Sequence, residues 1–171
     1  DKLDMLIWLL ADAMGPALTT YTAQNMGAGR WDRVCKGNRI GAAMSVAAVG
    51  TVSLGLYFLT APLGGLFVPV QDAAAVVPQA VVFMRRMAPF FLFYALAESF
   101  SGACCGTGDT VRPMILTLLS ICLLRVLGIL LVLPRQHTME CIIDIYISSW
   151  IAAGIGFLIL WQWEKNRVPK T

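Results

Sequence analysis

Three ionisable residues lie inside long apolar stretches of the chain: Asp12, Glu98 and Arg125. A charge at membrane depth costs several kcal/mol unless it is paired or hydrated, so such residues usually have a function. A carboxylate in that position can bind H⁺ or Na⁺ on one side of a membrane and release it on the other. A helical rise of about 1.5 Å per residue, counted from the helix ends, places Asp12 and Arg125 at similar depth. It places Glu98 lower, but on a neighbouring helix and within reach of a long arginine.

Two roles therefore stay open for these residues. Asp12 and Glu98 are candidates for a carboxylate that binds a coupling cation, H⁺ or Na⁺, and releases it on the other side of the membrane. Arg125 is the candidate for a structural ion pair with one of the two, because an unpaired guanidinium at that depth is costly.

Aromatic and polar side chains on the same helices are candidates for lining a cavity. A cavity of aromatic faces with a carboxylate suits cationic aromatic molecules, through apolar burial and cation–π attraction. Packing between helices or against lipid is the alternative explanation of these residues. The cavity candidates are Phe90, Phe91, Phe93 and Tyr94 beside Glu98, together with Thr19 and Gln24 on the first helix.

The composition indicates a membrane protein. Hydrophobic residues make up 58% of the 171 residues and charged residues 13%, against roughly 45–50% and about 25% in soluble domains. A soluble chain of this length could not bury so much apolar surface in one core. We therefore predict an all-α polytopic membrane protein that forms a single transmembrane domain over residues 1–171.

Five stretches are long and apolar enough for membrane-spanning helices, which need about 20 residues each. The third is interrupted near its start by Pro89, and a looser stretch, Val68–Val77, precedes it. The predicted spans are residues 4–25, 41–67, 78–105, 114–133 and 141–163.

The positive charges of the loops predict an orientation. One set of loops carries Arg30, Arg33, Lys36, Arg39, Arg112, Lys165, Arg167 and Lys170, and the opposite set carries Lys2, Arg85, Arg86 and Arg135. The side richer in Lys and Arg is normally cytoplasmic. The N-terminus is therefore expected outside the cell and the C-terminus in the cytoplasm.

Several other classes of function have little support. The five cysteines and the lone His137 lack metal-ligand spacing,. The glycine-rich turns lack the Gly-Lys-Ser/Thr ending of a phosphate loop, and no span carries a nucleophile beside a base. We expect no enzyme, no metal, no cofactor and no nucleic-acid partner, and the basic run Arg30–Arg39 is expected to set topology and touch lipid headgroups.

Two glycine-rich turns, here called elbows, end apolar helices. The first is Gln24-Asn25-Met26-Gly27-Ala28-Gly29-Arg30, and the second is Gly106-Thr107-Gly108-Asp109-Thr110-Val111-Arg112-Pro113. Glycine allows the chain to reverse within a few residues, and Pro113 is expected at a first helical position. The two motifs at this separation resemble the multidrug and toxic compound extrusion (MATE) family of membrane antiporters, over about residues 4–163.

The resemblance implies a function and a larger assembly. It implies that the five spans correspond to helices two to six of the second six-helix bundle of such a transporter. The first bundle of the same transporter would then be a missing partner. The implied activity is export of organic cations or drugs through the plasma membrane in exchange for H⁺ or Na⁺. A flippase for lipid-linked oligosaccharides in the same superfamily is one alternative, and a non-transporting membrane fragment or assembly partner is another.

Overall fold

A computed structural model describes residues 4–67, 70–132, 134 and 138–167. These residues are helical almost throughout, and no strand occurs among them. The all-α architecture is therefore confirmed. Lys2, Arg135, His137 and Lys170, which entered the sequence predictions, lie outside the described residues.

Seven α-helices follow one another along the described chain. A 3₁₀ turn, Ala88–Phe90, joins α3 to α4, and a π-helical segment, Leu118–Leu123, joins α5 to α6. The helices are α1 Met5–Gly27, α2 Trp31–Phe67, α3 Val70–Met87, α4 Phe91–Gly106, α5 Val111–Thr117, α6 Leu124–Leu131 and α7 Met139–Arg167.

Four helical stretches are long and apolar enough to cross a membrane: Trp31–Gly64, Ala74–Gly106, Val111–Leu131 and Met139–Arg167. Together they make the chain a multi-pass membrane protein. Helix α1, with 23 residues, is also long enough, but polar residues such as Asp12 and Thr19 make it less apolar. Its place as a fifth span stays a prediction.

Three predicted boundaries differ from the structure. Helix α2 begins at Trp31 rather than near residue 41, so Arg33, Lys36 and Arg39 lie on a helix and not in a loop. Asp32 favours this early start, because an acidic side chain in the first turn interacts well with the helix dipole,. The looser stretch is helical from Val70 onwards. Pro113 is the third residue of α5 rather than the first, where its missing N–H still costs no helical hydrogen bond.

Helix α4 lies at the centre of the bundle. It packs against α1, α2 and α7, and its Phe91 and Tyr94 surround the fully buried Trp150 of α7. The helical rod made of α5, the π segment and α6 lies at the edge. It exposes most of its large apolar side chains, as a surface facing lipid or a further protein element would.

Helices α1 and α4 cross in close contact, and glycine makes the contact possible. A Cβ on Gly102 would lie 2.2 Å from the carbonyl oxygen of Gly15, and one on Gly106 would lie 2.6 Å from that of Thr19. The Thr19 hydroxyl lies 3.0 Å from the carbonyl oxygens of both Gly15 and Gly102. Small residues and hydroxyl groups at such crossings are typical of helix packing in membranes.

We predict that Gly102→Ala destabilises the bundle because its methyl group meets backbone atoms that cannot move aside independently. Overpacking of this kind costs about 1–3 kcal/mol. The matched control is Gly55→Ala, since a Cβ there meets nothing within 4 Å and alanine is favoured over glycine in helices by about 1 kcal/mol. Unfolding in detergent micelles measures both, and equal stability of the two variants would contradict the close crossing.

Candidate functional site

The crossing of α1 and α4 brings Asp12 and Glu98 to the same level of the bundle. The two helices run parallel, and Asp12 lies one turn before Gly15 while Glu98 lies one turn before Gly102. A Cβ on Gly15 would lie 3.5 Å from Glu98 Oε2, so the Glu98 carboxylate lies against α1 about one turn beyond Asp12. Counting from helix ends had placed Glu98 lower, and this was wrong because α1 runs about two turns further beyond the crossing than α4 does. The structure thus brings together the two carboxylates proposed from the sequence.

Tyr94 holds one of these carboxylates. Its hydroxyl donates a hydrogen bond to Asp12 Oδ1 at 2.6 Å. The ring of Tyr94 lies 4.9 Å from that of Trp8 and 5.9 Å from that of Trp150, measured between centroids. The tyrosine is therefore fixed by packing before it reaches the aspartate, and Asp12 itself stays exposed on the other side.

Glu98 lies in a shallow groove of about 410 Å³ along the seam between α1 and α4. Thr19 and Ser101 supply further oxygen atoms to the same groove, and Gly15 and Gly102 form part of its wall. Oxygen ligands of this kind suit a proton or a hard cation such as Na⁺. Among the cavity candidates, Thr19 thus shares a groove with Glu98, and Tyr94 reaches Asp12.

The predicted ion pair of Arg125 is not formed. Arg125 Nε donates a hydrogen bond to the Ser149 hydroxyl at 2.9 Å, and its guanidinium lies 4.1 Å from the centroid of the Tyr146 ring. No salt bridge joins it to Asp12 or Glu98, all three being among the described residues. The cation is held by an aromatic face and a hydroxyl of α7 instead of a carboxylate.

The π segment Leu118–Leu123 ends two residues before Arg125. A π turn winds the backbone more loosely than an α-helix and so rotates the residues that follow it. Hydrophobic periodicity gave no sign of this rotation, and the sequence reasoning missed Tyr146 and Ser149. Their spacing by three residues, on one face of α7, was the available signal.

The predicted aromatic wall divides into buried and partly buried residues. Phe91 is 1% exposed and packs against Trp150 at 5.0 Å between ring centroids, so it belongs to the core of the bundle rather than to a cavity. Phe90 and Phe93 are stacked at 6.4 Å and partly exposed. The sequence reasoning missed Trp8, which lies one turn before Asp12 and contacts the ring of Tyr94.

The first elbow is a turn, and the second of its two glycines makes the reversal. Gly29 has φ +69°, a left-handed conformation that favours glycine, whereas Gly27 is still helical and has open space around it. The Ala28 N–H donates to the Gln24 carbonyl and the Asn25 side-chain amide donates to the Tyr21 carbonyl. Gln24 is exposed at this helix end, so its predicted cavity role has no contact to support it.

The second elbow is tied to the end of α7. Arg112 Nη1 lies 2.8 Å from Asp109 Oδ2 and 3.1 Å from Glu164 Oε1, and the guanidinium stacks 4.2 Å from the Trp163 ring centroid. Gly108, with φ +96°, provides the turn, whereas Gly106 provides the close approach to α1. Glu164 was missed from the sequence because it lies in a run of charged residues that reads as a solvated tail.

The electrostatics of Asp109 follow from these contacts. Partial burial opposes ionisation of its carboxyl, but hydrogen bonds from the backbone N–H and guanidinium of Arg112, and one with Glu164, outweigh burial and lower its pKa below 3.8. Asp109 is therefore ionised at neutral pH, and its charge stabilises the second elbow through the ion pair with Arg112. This is a structural role, and nothing in the contacts suggests catalysis.

The comparisons with known proteins decide the family. The MatE family model matches residues 2–131, which contain both elbows, Asp12, Glu98 and Arg125. The chain belongs to the MatE family. No curated protein and no solved structure gave a match.

Membership of the MatE family confirms the resemblance inferred from the two elbows. MatE proteins are membrane transporters and not enzymes, in accord with the apolar helices of this chain. The matched part ends at residue 131, so α7, which supplies Ser149, Tyr146 and Glu164, lies beyond it.

We predict that Asp109→Asn lowers stability at neutral pH and that this difference disappears in acid. A carboxyl whose pKa is lowered on folding contributes stability above its ordinary value of 3.8, and that stability is lost as the pH falls through the lowered pKa. The expected loss at neutral pH is about 1 kcal/mol, the size of one net hydrogen bond. Thermal unfolding of both proteins between neutral and acid pH measures it, and a difference that persists unchanged in acid would argue against an ionised Asp109.

Proposed function

We propose that the chain is part of a secondary antiporter that exports organic cations, including drugs, in exchange for H⁺ or Na⁺. The observation that carries the proposal is the pair Asp12 and Glu98, placed at one level on the parallel helices α1 and α4 in an otherwise apolar bundle. Two nearby carboxylates repel each other when both are ionised, so the pair favours binding of a proton or a cation between them.

The surroundings of the pair fit exchange of one cation for another. Asp12 is exposed and Glu98 opens into a groove, so both are accessible from outside this bundle. The partly exposed indole of Trp8 lies one turn before Asp12 and offers an aromatic face to a cationic aromatic substrate,. Substrate and coupling ion would then compete for the same negative charge.

Alternating access needs two bundles that rock against each other around a site at their interface. We infer that the exposed face bearing Asp12 meets a second bundle of the same transporter, the proposed partner. Lipid covers the rest, and the cell membrane is the proposed location. The alternative of a flippase for lipid-linked oligosaccharides would need a basic cavity, but Arg125 is directed to Ser149 and Tyr146 rather than to the groove.

The transport proposal predicts that Glu98→Gln and Asp12→Asn each lower ion-driven export. In proteoliposomes containing the transporter of which this chain is part, export of a fluorescent organic cation driven by a pH or Na⁺ gradient should fall by about 10-fold or more. A positioned proton-transfer group typically contributes 10²–10⁴-fold, so about 10-fold is a conservative threshold. The chain without a second bundle should export nothing.

The matched control is Glu140→Gln, the same chemical change at an exposed residue. Arg86 pairs with both Glu140 and Asp144, so it retains one partner in that variant. The control should keep normal export. Gradient-driven export by the Glu98→Gln protein at the rate of the control would overturn the proposal.

The proposed orientation places both elbows in the cytoplasm. In a cysteine-free background, a single cysteine at Ala28, next to the first elbow, should be shielded from an impermeant thiol reagent in intact cells. A cysteine at Met139, at the opposite end and 62% exposed, should react. Permeabilised cells should label at both positions, and labelling at Ala28 from outside would reverse the topology.

A further inference from the structure

A second concave region lies at the elbow end of the bundle, away from Asp12 and Glu98. It is a cleft of about 470 Å³ between the first turns of α2 and the last turns of α7. Phe100 of α4 and Trp161 of α7 form its apolar part, with ring centroids 6.2 Å apart. Both side chains are more than nine-tenths buried, so the base of the cleft is formed by well-packed side chains.

Three cations border this cleft: Lys36 and Arg39 on α2 and Lys165 on α7. All three are exposed, and none of them forms a salt bridge within the described part of the chain. Arg86 and Arg112, by contrast, are each paired with two carboxylates. Among the described residues that border the cleft only Asp32 is acidic, so the border is net positive.

On both flanking helices the exposed side chains change from charged or polar to apolar at the level of the cleft. On α2 the charged Lys36 and Arg39 give way to the exposed apolar Ile40 and Met44, which are 47% and 61% exposed. On α7 the exposed apolar Ile159, 65% exposed, is followed by the polar Gln162 and Lys165. The boundary between hydrocarbon and headgroups therefore runs through the cleft, with the indole of Trp161 at the depth that indoles prefer.

We propose that this cleft is a binding site for an anionic phospholipid. The three cations bind the headgroup phosphate, and the acyl chains lie along the apolar surfaces of α2 and α7. Basic pockets between membrane helices are known to bind anionic headgroups in this way. A free phosphate ion offers the same charge but nothing to cover the apolar side of the cleft, so the site favours the lipid. The proposal does not depend on the transport function, because it uses neither carboxylate of that site.

Native mass spectrometry of the purified chain in detergent tests the proposal, with phosphatidylglycerol and phosphatidylcholine as probes. The wild-type chain should retain phosphatidylglycerol in preference to phosphatidylcholine. The variant Lys36→Gln/Arg39→Gln/Lys165→Gln should bind phosphatidylglycerol about 100-fold more weakly, the expected effect of losing three cations near a headgroup.

The matched control also removes three positive charges from the same end: Arg30→Gln/Arg33→Gln/Arg167→Gln. None of these residues borders the cleft, so binding should change less than about threefold. The variant Lys36→Arg/Lys165→Arg keeps the charges and should keep the lipid. Circular dichroism and gel filtration establish that each variant is folded.

Three results would overturn the proposal. Equal losses in the two triple variants would show that charge alone attracts the lipid. Equal retention of phosphatidylcholine and phosphatidylglycerol would remove the requirement for an anionic headgroup. Displacement of bound phosphatidylglycerol by an excess of inorganic phosphate would assign the cleft to a free anion.

Discussion

The close crossing of α1 over α4 is the contact on which the rest of the arrangement depends. Because Gly102 has no side chain, the backbone of α4 lies directly on Gly15 of α1, and the Thr19 hydroxyl joins the two helices at their carbonyl oxygens. That contact sets the register of two parallel helices. It thereby places Asp12 and Glu98 at the same level of the bundle, which neither helix could do alone.

Charges within the apolar part of the bundle are stabilised in different ways. Asp12 accepts a hydrogen bond from the Tyr94 hydroxyl and stays exposed. Arg125 instead stacks on an aromatic ring of α7 and donates a hydrogen bond to a serine of the same helix. Among the described residues no basic side chain forms a salt bridge with Asp12 or Glu98, whereas the Arg125 guanidinium contacts Tyr146 and Ser149. At the elbow end, Asp109 and Glu164 share Arg112, which fastens the turn where the helices reverse.

Composition and motif were sufficient to predict the helical membrane fold, the helix ends near both elbows and the family. They were sufficient because apolar length and glycine turns are local properties. The contacts of Arg125 were not predicted, since a π turn rotates the residue away from the face that ideal helical periodicity assigns. Residue counting also misjudged the depth of Glu98, because depth depends on where helices cross and not on where they end.

The central claim is that Asp12 and Glu98 act as one site, and a double-mutant cycle tests it most directly. Ion-driven export would be measured for Asp12→Asn, Glu98→Gln and the double variant in the same proteoliposomes. Residues that act as a unit give strongly non-additive effects. We expect the double variant to lose no more activity than the more severe single variant. Losses that multiply across the two substitutions would show two independent carboxylates and contradict the account.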